Sequence, residues 1–198
     1  MGEITRDSLL TLEAYAKVRK DFRARVIAHK KTRAVHLGEH LTLLFEDELT
    51  IRYQIQEILR AEKAFEEESI ADELEAYNPL VPDGHNWKAT LLLEYEDVEE
   101  RKEALTKLRG VEDRVWVQVQ GGSAPRVYAI ADEDLDRENE EKTSAVHFVR
   151  FEVTPTMTDD LRRGVGLAIG VDHPAYTFTL RDVPQPTRDA LLADLSSG

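Results

Sequence analysis

Cysteine is absent from all 198 residues. The chain therefore has no disulfide, no thiolate zinc site, no cysteine nucleophile and no iron–sulfur cluster held by its own side chains. A redox role would need another cofactor or a partner protein. A metal site would have to be built from histidines and carboxylates, which suit iron, zinc and manganese.

Long apolar runs and glycine-rich phosphate loops are missing as well. No run approaches the roughly 20 residues that a membrane span needs, and the N-terminus carries Glu3 where a signal peptide would be basic. We therefore expect a cytoplasmic protein with no membrane contact. Because neither GxGxxG nor GxxxxGK[ST] occurs, no nucleotide cofactor is expected. With 41% hydrophobic residues and no break in composition, residues 1–198 are expected to form a single domain.

The net charge of -13 is unevenly distributed. Residues 17–33 hold eight basic side chains and one acid, which makes this segment +7 and the remainder -20. One interpretation is a contact with phosphate or nucleic acid. The other, which we favour, is a solvated helix face that pairs with the protein's own carboxylates, because the acidic remainder would repel a polyanion.

Periodicity predicts an α+β fold: a mainly antiparallel sheet of about six or seven strands, with helices packed chiefly on one face. The central stretch, residues 35–63, is expected to form a hairpin with a two-residue type II′ turn at Gly38-Glu39, followed by a helix. Further strands are expected at 88–95, 114–120, 126–130, 144–153, 165–171 and 175–180. Helices are expected near residue 9, at 19–31, 65–77, 98–108 and 158–163, and near the C-terminus. The acidic run 132–142 is interpreted as a solvated turn or short helix.

The central helix supplies the predicted ligand site. Ile51, Ile55, Ile58, Leu59 and Glu62 share one stripe, and the polar flank of that stripe carries Arg52, Tyr53, Gln56, Glu57 and Arg60. The loop 78–87, which has two prolines, adds Asp83 and Trp87. Trp87 is expected either to act as a lid or to anchor the loop to the core.

Three further residues are candidate metal ligands. His147 lies on the apolar face of its strand, where an imidazole needs a hydrogen-bond partner or a metal, and Asp172 and His173 are expected at a hairpin turn. We predict that any site lies where the helix flank meets these residues. The alternative is a buried cluster of arginine, carboxylate and imidazole that satisfies its own hydrogen bonds.

Several phrases carry a resemblance to a known family: YQIQEILR, AYNPLVPDG, VYAIADEDL, EKTSAVHFVRFE and GVDHPAY. With them the chain resembles, over nearly its whole length, the bacterial family called Domain of Unknown Function 3501. The resemblance implies an uncharacterised accessory protein in an iron-linked or oxidative-stress pathway, with a rubrerythrin-like or iron–sulfur oxidoreductase partner. It carries over no catalytic residues.

The functional expectation is therefore an accessory or binding protein. A metal-binding protein or metalloenzyme that uses histidine and carboxylates is one alternative, and a weak phosphate or nucleic-acid binder through residues 17–33 is another. No motif names a reaction, so the sequence leaves open whether the protein is an enzyme. It also leaves open whether the protein is a homodimer.

Overall fold

The computed structural model describes residues 2–120, 124–131 and 143–196. Helices within these ranges are α1 (Leu12–Lys30), α2 (Glu48–Glu62), α3 (Glu67–Tyr77), α4 (Val98–Lys107), α5 (Pro155–Arg162) and α6 (Gln185–Ala193). The strands are β1 (Ala34–Leu37), β2 (Leu41–Glu46), β3 (Asn86–Leu93), β4 (Val115–Val119), β5 (Val127–Tyr128), β6 (Ile130–Ala131), β7 (Val146–Glu152), β8 (Leu167–His173) and β9 (Tyr176–Leu180). The predicted acidic turn at 132–142 lies outside the described residues. No described helix is both long and apolar enough to cross a bilayer.

The α+β class is confirmed, but the single sheet is wrong. The described strands form two antiparallel sheets, in the orders β1-β2-β3-β7-β6 and β5-β4-β8-β9. The predicted hairpin of β4 and β5 exists, with Trp116 opposite Tyr128, whereas β6, expected to continue β5, pairs with β7 in the other sheet. Alternation along a strand shows which side chains face inward, but it does not show which strand lies alongside.

The two sheets share one core. Leu43, Leu91 and Phe151 of the five-stranded sheet belong to the same buried cluster as Val117 and Ile169 of the four-stranded sheet. The side of each sheet that faces this core is therefore covered by the other sheet, not by a layer of helices as we expected. Helices α4, α5 and α6 add Leu105, Leu161 and Leu191 to the same cluster.

A second, smaller core holds α1, α2 and α3 together with the N-terminal segment. Its buried members are Ile4, Leu9, Ile51, Ile55, Leu59 and Ile70. The two helices predicted before residue 31 are a single helix, since no glycine or proline interrupts residues 12–30. The Thr11 side chain caps α1 by accepting from the backbone N–H of Ala14 at 3.2 Å.

The connection between β1 and β2 differs from the predicted two-residue turn. Leu37 pairs with Leu41, so Gly38, Glu39 and His40 form a three-residue loop. The His40 backbone N–H donates to the Tyr176 hydroxyl at 3.1 Å, and its ring stacks on Tyr95. These contacts hold His40 in the loop.

The predicted helix after the hairpin is confirmed as α2, Glu48–Glu62. Asp47 caps α2 and accepts from the Thr50 N–H at 3.0 Å. The predicted buried stripe of this helix is wrong at one position on each side. Glu62 is exposed, whereas Gln56, placed on the flank, is buried. Its burial depends on the N-terminal segment, which the periodicity of α2 alone does not reveal.

Candidate functional site

The polar flank of α2 binds the N-terminal part of the same chain. The Gln56 side chain accepts from the Leu10 N–H at 2.7 Å and donates to the Leu10 carbonyl oxygen at 3.3 Å. Arg52 donates to Glu48 and to the Ser8 carbonyl oxygen. The backbone between the 3₁₀ turn Arg6–Ser8 and α1 has no strand or helix partners for its N–H and C=O groups, and these side-chain bonds supply partners to it.

Glu57 and Tyr53 make the contacts to α1. Glu57 accepts from the Tyr15 hydroxyl at 2.6 Å and forms a two-pronged ion pair with Arg19, with both distances 2.8 Å. The bond from Arg19 holds the pKa of Glu57 below its usual value, while burial and Glu57 raise the pKa of Tyr15. Tyr53 lies beside Phe22, and Arg60 is exposed. Glu57 and Tyr53 of the polar flank therefore form part of the packing contact between α1 and α2.

His147 lies on the core-facing side of β7, as predicted, and is 1% exposed. Its Nε2 atom is 2.8 Å from the Thr143 hydroxyl and 3.0 Å from the Ser144 carbonyl oxygen. A carboxylate oxygen of Glu112 is 3.7 Å from the same nitrogen. This imidazole therefore has the polar neighbours that a buried ring requires.

Asp172 and His173 lie in β8, and the β8–β9 turn is Pro174-Ala175, so the prediction that they form the turn is wrong. Asp172 accepts from the Tyr128 hydroxyl at 2.6 Å and pairs with Arg114 and Arg126 at 3.1 and 3.2 Å. The turn begins later than predicted, because the pairing of β8 with β9 continues through His173 opposite Tyr176 and Pro174, a residue typical of turns, starts the turn.

His173 is held by backbone groups. Its Nε2 is 2.9 Å from the Arg109 carbonyl oxygen, and its Nδ1 accepts from the Ala175 N–H at 3.1 Å. The structure thus brings Asp172 together with two arginines, His173 with the loop before β4, and His147 with Thr143 and Glu112. Among the described residues, no group of three or more His, Asp or Glu side chains is arranged to hold a metal ion.

Trp87 anchors the loop to the core. It lies in β3, is fully buried, and its indole N–H donates to the Leu191 carbonyl oxygen at 2.9 Å. Asp83 shapes the end of the loop, because its carboxylate accepts from the His85 N–H at 2.8 Å and from the Asn86 amide at 3.0 Å. The anchoring alternative for Trp87 is the one that the structure shows.

An open groove of about 790 Å³ lies beside this loop. Its apolar lining includes Ile4, Leu74 and Val81, and its acidic lining consists of Glu3, Glu75 and Asp83. None of the described residues that line it is Lys or Arg. Its volume falls in the range typical of small-molecule sites.

The N-terminal segment forms part of the groove because Asn78 binds it. The Asn78 side chain accepts from the Ile4 N–H and donates to the Ile4 carbonyl oxygen, both at 2.9 Å. Sequence reasoning found the loop and Asp83 but missed Glu3 and Glu75. The loop was the only part of the groove that the sequence indicated. The contact of residues 2–5 with α3 and the loop is long-range, so no local pattern in the sequence predicts it.

Two comparisons with known proteins give matches. The family model described as "Protein of unknown function (DUF3501)" matches residues 3–195. A crystal structure of a novel protein of unknown function from Burkholderia pseudomallei K96243 is 56% identical, with a TM-score of 0.92. The match covers 98% of this chain and 100% of that one. No curated protein matches.

Proposed function

The chain belongs to the DUF3501 family of proteins of unknown function, and on this basis, together with the groove, we propose that it is a non-catalytic binding protein. The observation that carries the proposal is the groove of about 790 Å³ with an apolar lining and three carboxylates. Buried apolar surface supplies affinity, and a few charged groups orient the ligand.

The charge of the groove selects the ligand class. Glu3 and Glu75 are exposed acids, and neither forms an ion pair with another described residue. Asp83 already accepts two hydrogen bonds, so its carboxylate is fixed in place. Lys88 donates to the Pro79 carbonyl oxygen but lines a different, smaller cavity. An amine with an aliphatic body fits this combination, because its ammonium group pairs with carboxylates while its chain contacts Leu74 and Val81.

The family resemblance extends the proposal to a pathway. It motivates an accessory role in iron-linked or oxidative-stress chemistry beside a rubrerythrin-like or iron–sulfur oxidoreductase partner. Such a partner would supply the thiolate-held centre that a cysteine-free chain lacks.

Titration with hexamethylenediamine tests the groove, with amide chemical shifts as the measurement. We expect shifts concentrated at residues 2–5 and 71–83. Glu75→Gln should weaken binding about fivefold, as expected for one charge-assisted contact of about 1 kcal/mol. Asp72→Asn is the matched control, since Asp72 is an exposed acid of α3 that does not line the groove.

A blocking variant separates the groove from diffuse charge attraction. Ala71 is exposed and lines the groove, so Ala71→Trp should fill part of the groove and abolish the shifts without changing charge. The neutral diol of the same length should not bind. Equal binding by the wild type and Ala71→Trp, or no shifts at residues 2–5 and 71–83, would rule out the proposed ligand site.

A further inference from the structure

Helix α1 leaves one of its sides uncovered along most of its length. Of its 19 residues, only Tyr15 and Val26 are buried. The uncovered side carries Lys20, Arg23 and Ile27, and Lys31, the C-cap residue directly after α1, continues their row at spacings of three and four. We call these four residues the α1 row. It spans roughly 16 Å at 1.5 Å per helical residue.

The cations of the α1 row have no acidic partner among residues 2–120, 124–131 and 143–196. Lys20, Arg23 and Lys31 are exposed and form no ion pair with any carboxylate in the described part of the chain. Other basic residues of the segment do form them: Lys17 pairs with Glu13 at 2.9 Å, and Arg19 pairs with Glu57 at 2.8 Å. The expectation that the basic segment pairs with the protein's own carboxylates is therefore confirmed for Lys17 and Arg19, whereas no described carboxylate pairs with the α1 row.

An apolar residue lies at the middle of the row. Ile27 is 50% exposed and stands one helical turn from both Arg23 and Lys31. The exposed Ala16 and Ala24 flank the row and allow a partner's backbone to approach. An exposed apolar centre within a charged rim is the composition of a protein–protein contact.

We propose that the α1 row is a docking surface for an acidic helix of a partner protein, separate from the amine-binding groove. Charge complementarity supports this occupant, because the three cations of the row, which pair with no described carboxylate, attract an acidic surface that is short enough to stay clear of the acidic remainder of the molecule. A nucleic acid is a poorer fit. Its phosphates would extend past the row onto the acidic remainder of the molecule, and a phosphate backbone gains nothing from Ile27.

The neighbouring aromatic rings do not alter this choice. Phe22 and Tyr53 lie next to each other, but Arg25 covers Phe22 at 4.9 Å and Lys30 covers Tyr53 at 5.7 Å. Rings that already carry cations on a face are not free platforms on which bases could stack. These cation–π contacts also hold Arg25 and Lys30 beside the row, where they add to its positive field.

The test is fluorescence anisotropy with three labelled probes: an amphipathic acidic helical peptide rich in Glu and Leu, poly-L-glutamate, and duplex DNA. We expect the amphipathic peptide to bind most tightly, since it alone satisfies both the cations and Ile27. The triple variant Lys20→Glu/Arg23→Glu/Lys31→Glu should weaken peptide binding by roughly a hundredfold, as expected for the loss and reversal of three rim charges. Ile27→Ser should weaken the peptide but leave poly-L-glutamate unchanged.

A control variant carries the same change of charge elsewhere. Arg101→Glu/Lys102→Glu/Lys107→Glu alters three exposed cations of α4, and circular dichroism checks that both triple variants keep their helices. Peptide binding by this control should fall by less than about threefold through the general field. The proposal is overturned if the two triple variants weaken binding equally, if DNA binds more tightly than the peptide, or if the wild type binds no peptide at low salt.

Discussion

Glu57 illustrates, at the scale of single residues, how a predicted ligand group serves the fold. Its carboxylate receives the Tyr15 hydroxyl and the guanidinium of Arg19. The side chain is 25% exposed, so water still screens it and its contribution to stability is modest. The same chemistry that suggested a binding site, a carboxylate among basic and hydroxyl groups, here joins two helices.

Glu57→Gln should destabilise the protein in a pH-dependent way. Because the bond from Arg19 holds the pKa of Glu57 below its usual value of 4.5, this carboxylate contributes stability above that pH, and the contribution is lost as pH falls through the lowered pKa. We expect the variant to be about 1 kcal/mol less stable at neutral pH. In acid the difference should disappear.

Urea unfolding at a series of pH values measures this effect. The control is Glu13→Gln, whose partner Lys17 is on the same helix and whose side chain is 82% exposed. That variant should differ little from the wild type at any pH. A Glu57→Gln defect that is the same at neutral and acid pH would show that the ion pair is not its source.

At the scale of elements, Arg33 links the start of the chain to its end. It follows α1, is 3% exposed, and donates to both oxygens of Asp194, just after α6, at 2.8 and 2.7 Å. It also lies 3.0 Å from the carboxylate of Asp47, the cap of α2. Burial raises the pKa of Asp194, and the bonds from Arg33 oppose that rise. The Arg33 guanidinium therefore connects the end of α1 with the start of α2 and the end of α6.

Arg33→Met should cost about 3–5 kcal/mol, because it leaves Asp194 buried without its counter-charge. Adding Asp194→Leu should recover part of that loss, since the second change removes the stranded carboxylate. Thermal and urea unfolding of the two variants measure both steps. Arg6→Met, which removes an exposed pair with Glu67, is the control and should change stability little, because water screens an exposed ion pair. A double variant no more stable than Arg33→Met would contradict the assignment.

Local patterns predicted those elements whose signals are local. The helix that follows the first hairpin, the inward face of β7 with His147, and the end of α4 near residue 108 all follow from residues close in sequence. Arg33 gave no such signal. It was counted among the basic residues of a solvated face, and its partner Asp194 lies 161 residues away. An ion pair between residues this far apart in sequence can be recognised only when the three-dimensional positions of both residues are known.

The candidate site was predicted in pieces for the same reason. Loop 78–87 was found from its prolines and Asp83, and the loop does line the groove. The helix flank was identified as polar, and its Gln56 and Glu57 side chains bind Leu10, Tyr15 and Arg19 of the same chain. Hydrophobic periodicity shows which side of a helix is covered and is silent about whether a ligand or another helix covers it.

At the scale of the whole molecule, the residues that the structure describes form two cores of unequal size. The larger core lies between the sheets and includes Leu91. The smaller core lies among α1–α3 and includes Ile55. Both side chains are fully buried. The sequence suggested one sheet and one core. It could not show the division, because the two sheets are assembled from strands that pair across long separations, such as β3 with β7.

This division predicts two levels of unfolding. Leu91→Ala should lower hydrogen-exchange protection throughout the chain, because the core between the sheets also anchors α4–α6. Ile55→Ala should lower it chiefly in α1–α3 and the N-terminal segment and leave β3 and β7 closer to wild-type protection. Each truncation should cost about 2–5 kcal/mol in its own unit. If Ile55→Ala lowered protection equally in α2 and β3, the two cores would form a single cooperative unit, and Arg33, which reaches from the helices to Asp194, would be the contact to remove next.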